Sequence, residues 1–395
     1  MNHLQISDYT VTTALGAGVD VNFERLNGGQ SGLHPCKFFD ISDLRAWVGE
    51  VSGLDEVVID KPFSAFDCRN NRLALKGLKQ DGFIESVQQV VSQYGAGRVG
   101  VFIGTSTSGI HQTEKAYLAR ENDSAALPDW YQYETTQNTY SVAEFVQAIT
   151  GCDGVSVAIS TACSSSAKVF ASAYRAIHSG LCDAAIVGGV DSLCLTTLYG
   201  FNSLQLLSEA QCRPSDSARN GISIGEAAGF ALLQRPQQAA GLALLGYGES
   251  SDAFHMSSPH PEGDGALLAM QAALHSAGMK PEQIDYINLH GTATVANDYS
   301  EAMAVSRLFG NQIPASSTKG WTGHTLGAAG IVETVFSLMS LKHGYMPQSL
   351  NTQQVDPAIE INILMESQSQ PVKAVLSNSF GFGGSNVSLV VGEIQ

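Results

Sequence analysis

The stretch VSVAISTACSSSAKVFASAYRAIHSG, residues 155–180, contains an apolar run, a turn of small residues and an amphipathic segment in succession. The run at 155–160 has the length and composition of a buried strand. In residues 164–179 the apolar side chains recur at roughly the 3.6-residue helical period, and Gly180 stands where helices commonly end. This stretch therefore predicts a strand, a turn and a helix, which is a building unit of α/β proteins.

Short apolar runs of the same kind recur along the chain. They lie at residues 99–104, 183–189, 242–245, 286–289, 374–377 and 387–391. A second amphipathic stripe covers residues 299–309. Buried strands that alternate with helices predict an α/β architecture in which helices cover both faces of the sheet.

The stretch RPQQAAG at residues 235–241 separates two sets of such segments. We interpret it as the boundary between an N-terminal half, residues 1–240, and a C-terminal half, residues 241–395. Each half contains several predicted strands and helices, although the two halves show no strong sequence repeat.

Composition excludes several classes of protein. Of 395 residues, 44% are hydrophobic and 15% are charged, whereas a disordered chain has low hydrophobicity and high charge. Forty glycines without a Gly-X-Y period rule out a collagen-like chain. The formal net charge of −16 would repel a phosphate backbone, so nucleic acid is not expected as a partner.

Cysteine spacing and hydropathy indicate the compartment. The seven cysteines form no CxxC pair, which argues against a disulfide framework and against a zinc site. No run approaches eighteen apolar residues, and the N-terminus lacks the pattern of a signal peptide. We therefore expect a cytoplasmic protein without a membrane span and without a bound metal.

Cys163 is the first candidate for chemistry, because it lies between the predicted strand and the predicted helix. The positive end of a helix lowers the pKa of a nearby thiol and favours the thiolate. The alternative is a buried structural cysteine, which is the commoner fate of a cysteine, and both interpretations stay open on this segment alone. The other six cysteines lack this context and are interpreted as core or surface thiols.

Two histidines and a glycine-rich turn are further candidates. His290 ends a predicted strand, and His324 lies in a segment rich in glycine. They are 34 positions apart without a nearby carboxylate–histidine cluster, so the spacing of a metal site is absent. Residues 378–386, NSFGFGGSN, lack the Lys-Ser/Thr of a phosphate loop, and a turn that binds an oxyanion is the better interpretation.

Four motifs together carry a resemblance: TACSSS at 161–166, NLHGTAT at 288–294, STKGWTGHTLGAAG at 317–330, and NSFGFGGSN. In this order and spacing they resemble the β-ketoacyl-acyl carrier protein synthases, the condensing enzymes of the thiolase superfamily. The resemblance extends from about residue 95 onward. It implies a five-layered α/β/α/β/α fold built from two pseudo-duplicated halves.

The resemblance also implies roles for the motif residues. Cys163 would be the nucleophile that takes an acyl chain as a thioester, and His290 and His324 would promote decarboxylation of malonyl-carrier protein. Lys319 would order the site with Glu301 as its acidic partner. The backbone N–H groups of Cys163 and Phe382 would form the oxyanion hole, and the Phe382 ring would act as a gate.

Four further residues match substrate-binding positions of the family. Thr292 and Thr294 would hold the pantetheine arm, Phe380 would lie close to the gate, and Thr107 would line the acyl pocket. The chemistry requires no metal or redox cofactor.

Several residues depart from the usual family motifs without removing a catalytic group. Ser215 replaces an aromatic residue, Asn220 an aspartate, Val295 a proline and Asn297 a glycine. These departures leave both fatty acid synthesis and a specialised polyketide or polyene pathway open.

Basic residues are concentrated near one predicted helix. Five of them, with a single acid, fall between Lys61 and Lys79, and Arg69, Arg72, Lys76 and Lys79 are spaced to share one helical face. A merely solvated face is the alternative. The corresponding region of the family helps to dock the acidic acyl carrier protein, so we expect this face to bind it.

The resemblance leaves three readings of the whole chain. The first is an elongating ketosynthase, and the second is a non-catalytic partner of the chain-length-factor kind, which usually lacks the nucleophile. The third is a cysteine acyltransferase or thioesterase, which would not need a second histidine with a lysine and an acid. Family members are dimers through pairing of sheet edges, and a homodimer and a heterodimer both stay open.

Overall fold

The computed structural model describes residues 1–41, 43–120, 126–237 and 240–394. Its strands are β1 (Leu4–Thr13), β2 (Gly16–Ala17), β3 (His34–Pro35), β4 (Trp47–Gly49), β5 (Val99–Gly104), β6 (Ser156–Ile159), β7 (Ala184–Asp191), β8 (Ile224–Gly225), β9 (Ala227–Gln234), β10 (Leu242–Ser251), β11 (Tyr286–Asn288), β12 (Ala315–Ser316), β13 (Tyr345–Met346), β14 (Gln368–Ser369), β15 (Ala374–Gly381) and β16 (Ser385–Glu393).

Its α-helices are α1 (Val19–Asn27), α2 (Arg69–Leu78), α3 (Phe83–Tyr94), α4 (Ile110–Leu118), α5 (Ser141–Thr150), α6 (Ser165–His178), α7 (Leu195–Ser203), α8 (Asp264–Ala277), α9 (Val295–Phe309), α10 (Lys319–Thr322) and α11 (Ala329–His343). Short 3-10 helices cover Lys61–Phe66, Ala96–Arg98, Pro281–Gln283 and Leu326–Ala328, and a π-helix covers Tyr133–Gln137.

Two sets of five strands repeat one topology. The first set runs β6-β5-β7-β9-β1 and the second runs β12-β11-β15-β16-β10. In each set the first two neighbouring pairs are parallel and the last two are antiparallel. The sets join where β1 pairs with β10 through Leu4 and Gln5. The repeated order shows an internal duplication that the sequence conceals.

The layers follow from which helices pack on which set. The central helices α6 and α11 contact each other and strands of both sets, and their apolar residues belong to one large buried cluster. Helices α2, α3 and α5 cover the outer face of the first set, and α8 and α9 cover the outer face of the second. The five-layered α/β/α/β/α fold is confirmed.

The predicted elements lie close to the observed ones. Strand β5 matches residues 99–104, and the apolar stripe of α6 is buried at all five of the predicted positions, Ala167, Phe170, Ala171, Tyr174 and Ile177. Helix α9 begins at Val295, four residues before the predicted stripe. The prediction missed its first turn because the residues there are polar or exposed and add no apolar residue to the stripe. The final two strands are longer than their apolar runs, since pairing with each other continues to the glycine-rich turn.

The predicted boundary between the halves lies in the connection from β9 to β10. Residues 238 and 239 of that connection lie outside the described residues. Among the helices of the described residues, none combines the length and the apolar character that crossing a bilayer requires.

Candidate active site

A strained turn presents Cys163 between β6 and α6. Ala162 has a φ of 51°, which is uncommon for a residue with a Cβ. The turn is held because Ser165 donates its backbone N–H to the Ala162 carbonyl and its hydroxyl accepts the N–H of Thr161. The sulphur thus sits just before the first turn of α6, as the sequence predicted.

Three distant segments bring Cys163, His290 and His324 together. Nε2 of His324 lies 2.9 Å from Sγ of Cys163, and the two imidazole rings are nearly perpendicular with centroids 5.4 Å apart. One nitrogen from each histidine and the sulphur all lie within 4.8 Å of one another. All three residues are buried. The structure therefore assembles the predicted set in one place.

Hydrogen-bond donors fix the form of both imidazole rings. The backbone N–H of Leu326 donates to Nδ1 of His324, at 3.3 Å. The Lys319 ammonium, which has only donors, lies 3.5 Å from Nδ1 of His290. Because Nδ1 accepts in both rings, the ring hydrogen of each neutral histidine is on Nε2. Both histidines consequently present an N–H group to the space beside Cys163.

Burial keeps both histidines neutral. It lowers the pKa of His290 and of His324 well below the usual value, and the positive charge of Lys319 lowers both further. Neutral rings with hydrogen on Nε2 stabilise negative charge by donating hydrogen bonds, without taking up a proton first.

This donor arrangement does not fit a metal ion. A histidine that binds a metal donates its other ring N–H to an acceptor, which leaves the ligating nitrogen free of hydrogen. In His290 and His324 the outward nitrogen faces a donor instead, so the inward nitrogen keeps its hydrogen. The cluster is arranged to bind an anionic oxygen.

The acidic partner of Lys319 is Glu333, which corrects the expectation for Glu301. The Lys319 ammonium forms a buried ion pair with Oε1 of Glu333 and also donates to the backbone carbonyl of His290. Glu301 instead accepts the backbone N–H groups of His290 and Gly291, both at 2.8 Å, and the side-chain amide of Asn378. Glu301 thus positions the backbone of the His290 turn rather than pairing with the lysine.

Glu333 was missed in the sequence although a signal was present. It is the single acid of helix α11, among mostly apolar neighbours, and a buried acid needs a partner. Burial raises the pKa of both Glu333 and Glu301 to about 7, and Lys319 opposes this shift at Glu333.

The glycine-rich turn places a second N–H group at the nucleophile. The backbone N–H of Phe382 is directed at Cys163, and Gly381 packs so closely that a Cβ on it would lie 2.7 Å from the Thr161 carbonyl oxygen. Gly383 and Gly384 have φ values of 82° and 76°, which glycine adopts without strain. The turn is therefore suited to the predicted oxyanion hole.

Phenylalanine rings and two threonines line the cleft that leads to Cys163. The Phe382 ring lies 5.5 Å from that of Phe201, and the Phe380 ring lies 5.8 Å from that of His290. The hydroxyls of Thr292 and Thr294 are 2.9 Å apart on the cleft wall. Further lining comes from Asn386 of the glycine-rich turn and from side chains that the sequence did not suggest, Leu204, Leu206, Ile222, Asp252 and His255.

Thr107 is not part of this lining. Its side chain is buried, and its hydroxyl donates to Asp191 at 2.9 Å while accepting the backbone N–H of Ser192. The polar hydroxyl is therefore used inside the protein.

Burial opposes the expectation that the helix alone makes Cys163 a thiolate. Burial raises the pKa of the thiol to about 12, and Lys319 and the Phe382 N–H lower it only in part. Burial therefore opposes ionisation of Cys163, and the nearby donors stabilise the anion when it forms.

Arg69 does not belong to an exposed docking face, which corrects that prediction. Only 8% of the residue is exposed, and its Nε and Nη2 donate to the two carboxylate oxygens of the fully buried Glu226 at 2.9 and 2.6 Å. The helical spacing was right, but the first turn of α2 faces the core. Arg72 pairs with Asp67, Lys76 donates to the Ser52 carbonyl, and Lys79 is exposed.

Comparison with known families matches most of the chain. Residues 73–239 match the N-terminal domain of β-ketoacyl synthases, and residues 242–353 match the C-terminal domain. The 3-oxoacyl-[acyl-carrier-protein] synthase 2 of Vibrio cholerae is 31% identical over 95% of this chain and 95% of its own length. The synthase of the same name from a Synechocystis species is 31% identical over 98% of both chains.

Solved structures give the same picture. A ketosynthase in complex with its chain length factor, from Xenorhabdus doucetiae, is 38% identical to this chain with a TM-score of 0.91. It is matched over 99% of this chain and 98% of its own. The ishigamide ketosynthase/chain length factor is 25% identical with a TM-score of 0.89, over 99% of both chains.

Proposed function

The chain belongs to the β-ketoacyl synthase family, and we propose that it condenses a Cys163-bound acyl chain with malonyl-acyl carrier protein, with loss of carbon dioxide. The observation that carries this proposal is that a thiol and two Nε2–H donors share one buried cleft. A decarboxylating condensation needs these groups, since it needs a nucleophile and donors for two developing oxyanions.

In the first half-reaction Sγ of Cys163 attacks the thioester carbonyl of an acyl-carrier protein. The carbonyl oxygen becomes negative and is bound by the backbone N–H groups of Cys163 and Phe382. The carrier thiol then leaves with the proton that the Cys163 thiol gives up. The acyl chain remains on the enzyme as a thioester.

In the second half-reaction malonyl-carrier protein occupies the same cleft. Its carbon–carboxylate bond breaks, carbon dioxide leaves, and the electron pair forms an enolate whose oxygen accepts hydrogen bonds from His290 and His324. The enolate carbon attacks the Cys163 thioester, and the sulphur leaves as a thiolate that takes up a proton from solvent. The product is a 3-oxoacyl-carrier protein two carbons longer.

Lys319 supports this step by holding His290 as a donor. Its ammonium keeps Nδ1 of His290 in the accepting state and is itself neutralised by Glu333. Thr292 and Thr294, with hydroxyls on the cleft wall, would hydrogen-bond the amides of the pantetheine arm. Phe382, at the tip of the glycine-rich turn, would open and close the route to Cys163.

We further propose that the chain is the catalytic subunit of a pair with a chain-length-factor-like protein. Strand β6, which leads to Cys163, is the last strand of its sheet, and no other described strand pairs with its outer edge. Its four residues are all partly exposed. The support for a heterodimer is the 38% identity to a ketosynthase that forms one, and a specialised polyketide or polyene pathway follows from it.

Docking of the acidic carrier protein is proposed for basic residues that reach the surface, the exposed Lys79 and the half-buried Arg72 and Lys76. Lys79 and Arg72 remain candidates from the predicted face, together with Lys76, whereas Arg69 does not. Leu204 lines the cleft and is exposed, and three further exposed apolar residues, Phe254, Met256 and Val295, are next in sequence to lining residues. Exposed apolar side chains here suit a carrier protein with an apolar contact surface.

Two remaining proposals concern organisation and location. The repeated strand topology supports two halves, residues 1–240 and 241–395. All seven cysteines are free thiols, which supports a reducing compartment, the cytoplasm.

Intact mass spectrometry tests the function directly. The protein, alone and co-purified with a chain-length-factor-like subunit, is incubated with acyl-carrier proteins of varied chain length and then with malonyl-carrier protein. We expect a mass increase equal to the acyl group, followed by release of a product two carbons longer. Cys163→Ala should stay unmodified, whereas the matched variant Cys182→Ala, which removes a buried core thiol, should react like the wild type.

Absence of acylation under both conditions would overturn the proposal. The non-catalytic partner would then be the better account. That alternative is disfavoured because Cys163, His290, His324 and Lys319 are all present and lie together. The third alternative, a cysteine thioesterase, is disfavoured because it would not use both Nε2–H donors.

A further inference from the structure

Asp191, at the end of β7, is fully buried and binds two separate segments, residues 105–107 and the segment that contains Gly327. Its oxygens accept five donors: the hydroxyl of Thr105, the backbone N–H groups of Ser106, Thr107 and Gly327, and the hydroxyl of Thr107. These bonds measure 2.6–2.9 Å. Among the ion pairs of the described residues, none includes Asp191.

The first bound segment reaches the nucleophile. Ser106 donates its backbone N–H to Asp191, and its hydroxyl donates a hydrogen bond to the carbonyl of Ala162 at 3.1 Å. Ala162 is the strained residue directly before Cys163. A single side chain thus separates the carboxylate from the turn that holds the sulphur.

The second bound segment reaches the histidine. Gly327 follows Leu326, whose backbone N–H fixes the tautomer of His324. A Cβ on Gly327 would lie 2.8 Å from Oδ2 of Asp191 and 2.7 Å from the Ser106 hydroxyl. Only a glycine lets this segment approach the carboxylate so closely.

We propose that Asp191 is a positioning residue that sets the contact between Sγ of Cys163 and Nε2 of His324. It does so by binding the supports of both, which are the segment 105–107 beside the Cys163 turn and the segment 326–327 beside His324. The groups that contact its oxygens all donate hydrogen bonds, which favours the ionised carboxylate, whereas burial raises the pKa of the carboxyl and opposes this. The inference rests on the proposed function, because it takes Cys163 as the nucleophile and His324 as the donor.

Asp191 also acts on Cys163 through its charge. The charged or titratable groups around the thiol are Lys319, Glu333, Asp191 and the two histidines. The negative charge of Asp191 raises the pKa of the thiol. Removing this charge should therefore lower the pKa of the Cys163 thiol, which loss of a purely structural support would not do.

The test compares Asp191→Asn with Asp191→Glu and the wild type. Rates of Cys163 alkylation by iodoacetamide are measured against pH, and rates of acylation by acyl-carrier protein are measured in parallel. For Asp191→Asn we expect acylation to fall by roughly 10- to 100-fold, since small misplacements at a reacting pair have effects of this size. We also expect the alkylation curve to shift to lower pH, whereas Asp191→Glu keeps the charge and shows no such shift.

Asp216→Asn is the matched control. Asp216 is also buried and accepts three backbone N–H groups, from Ala218, Gln353 and Gln354, without touching the supports of Cys163 or His324. This variant should lose thermal stability and keep the alkylation curve of the wild type.

Gly327→Ala provides a second route if Asp191→Asn does not fold. It should slow acylation by a similar factor while leaving the carboxylate in place. An Asp191→Asn protein, or in its absence a Gly327→Ala protein, that is acylated at the wild-type rate would overturn the inference. Wild-type protein that no acyl chain modifies would instead overturn the proposed function, so the two failures are distinguishable.

Discussion

Nε2 of His324 lies 2.9 Å from Sγ of Cys163, and this nitrogen carries the ring hydrogen because Nδ1 accepts a hydrogen bond from the backbone N–H of Leu326. The imidazole therefore donates to the sulphur and does not serve as its base. This differs from the Ser-His arrangement of hydrolases, in which the imidazole takes the proton of the nucleophile. The pair is built to stabilise anions, first the sulphur and later the enolate oxygen.

Loss of one histidine donor should separate the two half-reactions. We expect His290→Ala to lower decarboxylation of malonyl-carrier protein by about 10²- to 10³-fold, the usual effect of removing one oxyanion donor. Acylation of Cys163 should change much less, because the donor closest to the sulphur is His324. Release of labelled carbon dioxide and the mass of the acyl-enzyme measure the two steps, and equal losses in both would contradict this division.

Alkylation of Cys163 should rise steeply with pH. Burial holds the thiol pKa near 12, above that of a free cysteine, so the thiolate fraction grows roughly tenfold per pH unit across the neutral range. Lys319→Met removes a charge that lowers this pKa, and the rate at pH 8 should fall further. Site-resolved mass spectrometry with iodoacetamide measures both, with the partly exposed Cys36 as internal comparison. A rate independent of pH between 6 and 9 would show that the resting thiol is already ionised.

The two buried acids near Lys319 should respond differently to loss of charge. Glu333→Gln leaves the lysine ammonium buried without its partner, so the free energy of unfolding should fall by roughly 3–5 kcal/mol. Glu301→Gln keeps the ion pair and weakens only the hydrogen bonds to His290 and Gly291. We therefore expect Glu301→Gln to lose less stability than Glu333→Gln, and its loss of decarboxylation to be larger in proportion to its loss of stability. Denaturant unfolding and carbon dioxide release decide the order. The reverse ranking would restore Glu301 as the partner of the lysine.

Arg69 is the first residue of α2 and Lys79 directly follows its last residue, but their substitutions should have separate effects. Arg69→Met leaves Glu226 buried and unpaired, so the protein should lose several kcal/mol of stability with an unchanged apparent KM for acyl-carrier protein. Lys79 lies on the surface, so Lys79→Glu should raise that KM several-fold with little change in stability. The increase in KM should be larger at low salt, where charges are screened less. A raised KM in Arg69→Met alone would return this arginine to the docking surface.

The sequence identified Cys163 and both histidines as candidates because each lies in a short local signal, at the end of an apolar strand or beside glycine, and the family resemblance supplied their roles. It was not sufficient for Glu333, whose relation to Lys319 exists only after α10 and α11 have packed, or for the direction in which α2 turns Arg69. Spacing along a helix identifies residues that share a face, but the neighbouring strands decide whether that face is buried. Asp191 escaped notice for the same reason, since its five donors come from two other segments.

Gly381 should be the least replaceable residue of the glycine-rich turn. A Cβ there would lie 2.7 Å from the Thr161 carbonyl oxygen and 3.3 Å from the backbone nitrogen of Cys163, so the turn would have to move away from the nucleophile. We expect Gly381→Ala to lower the acylation rate by about 10- to 100-fold, because Phe382 N–H would leave its place beside Cys163.

Gly383→Ala is the matched control for Gly381→Ala. A Cβ at Gly383 meets nothing within 4 Å, and its only cost is the left-handed backbone, about 1–2 kcal/mol of stability. Rates of acyl-enzyme formation and thermal unfolding of both variants make the comparison. If the two alanines slow acylation equally, flexibility of the whole turn governs the reaction. If only Gly381→Ala does, the close approach of this backbone to Cys163 is what the oxyanion hole requires.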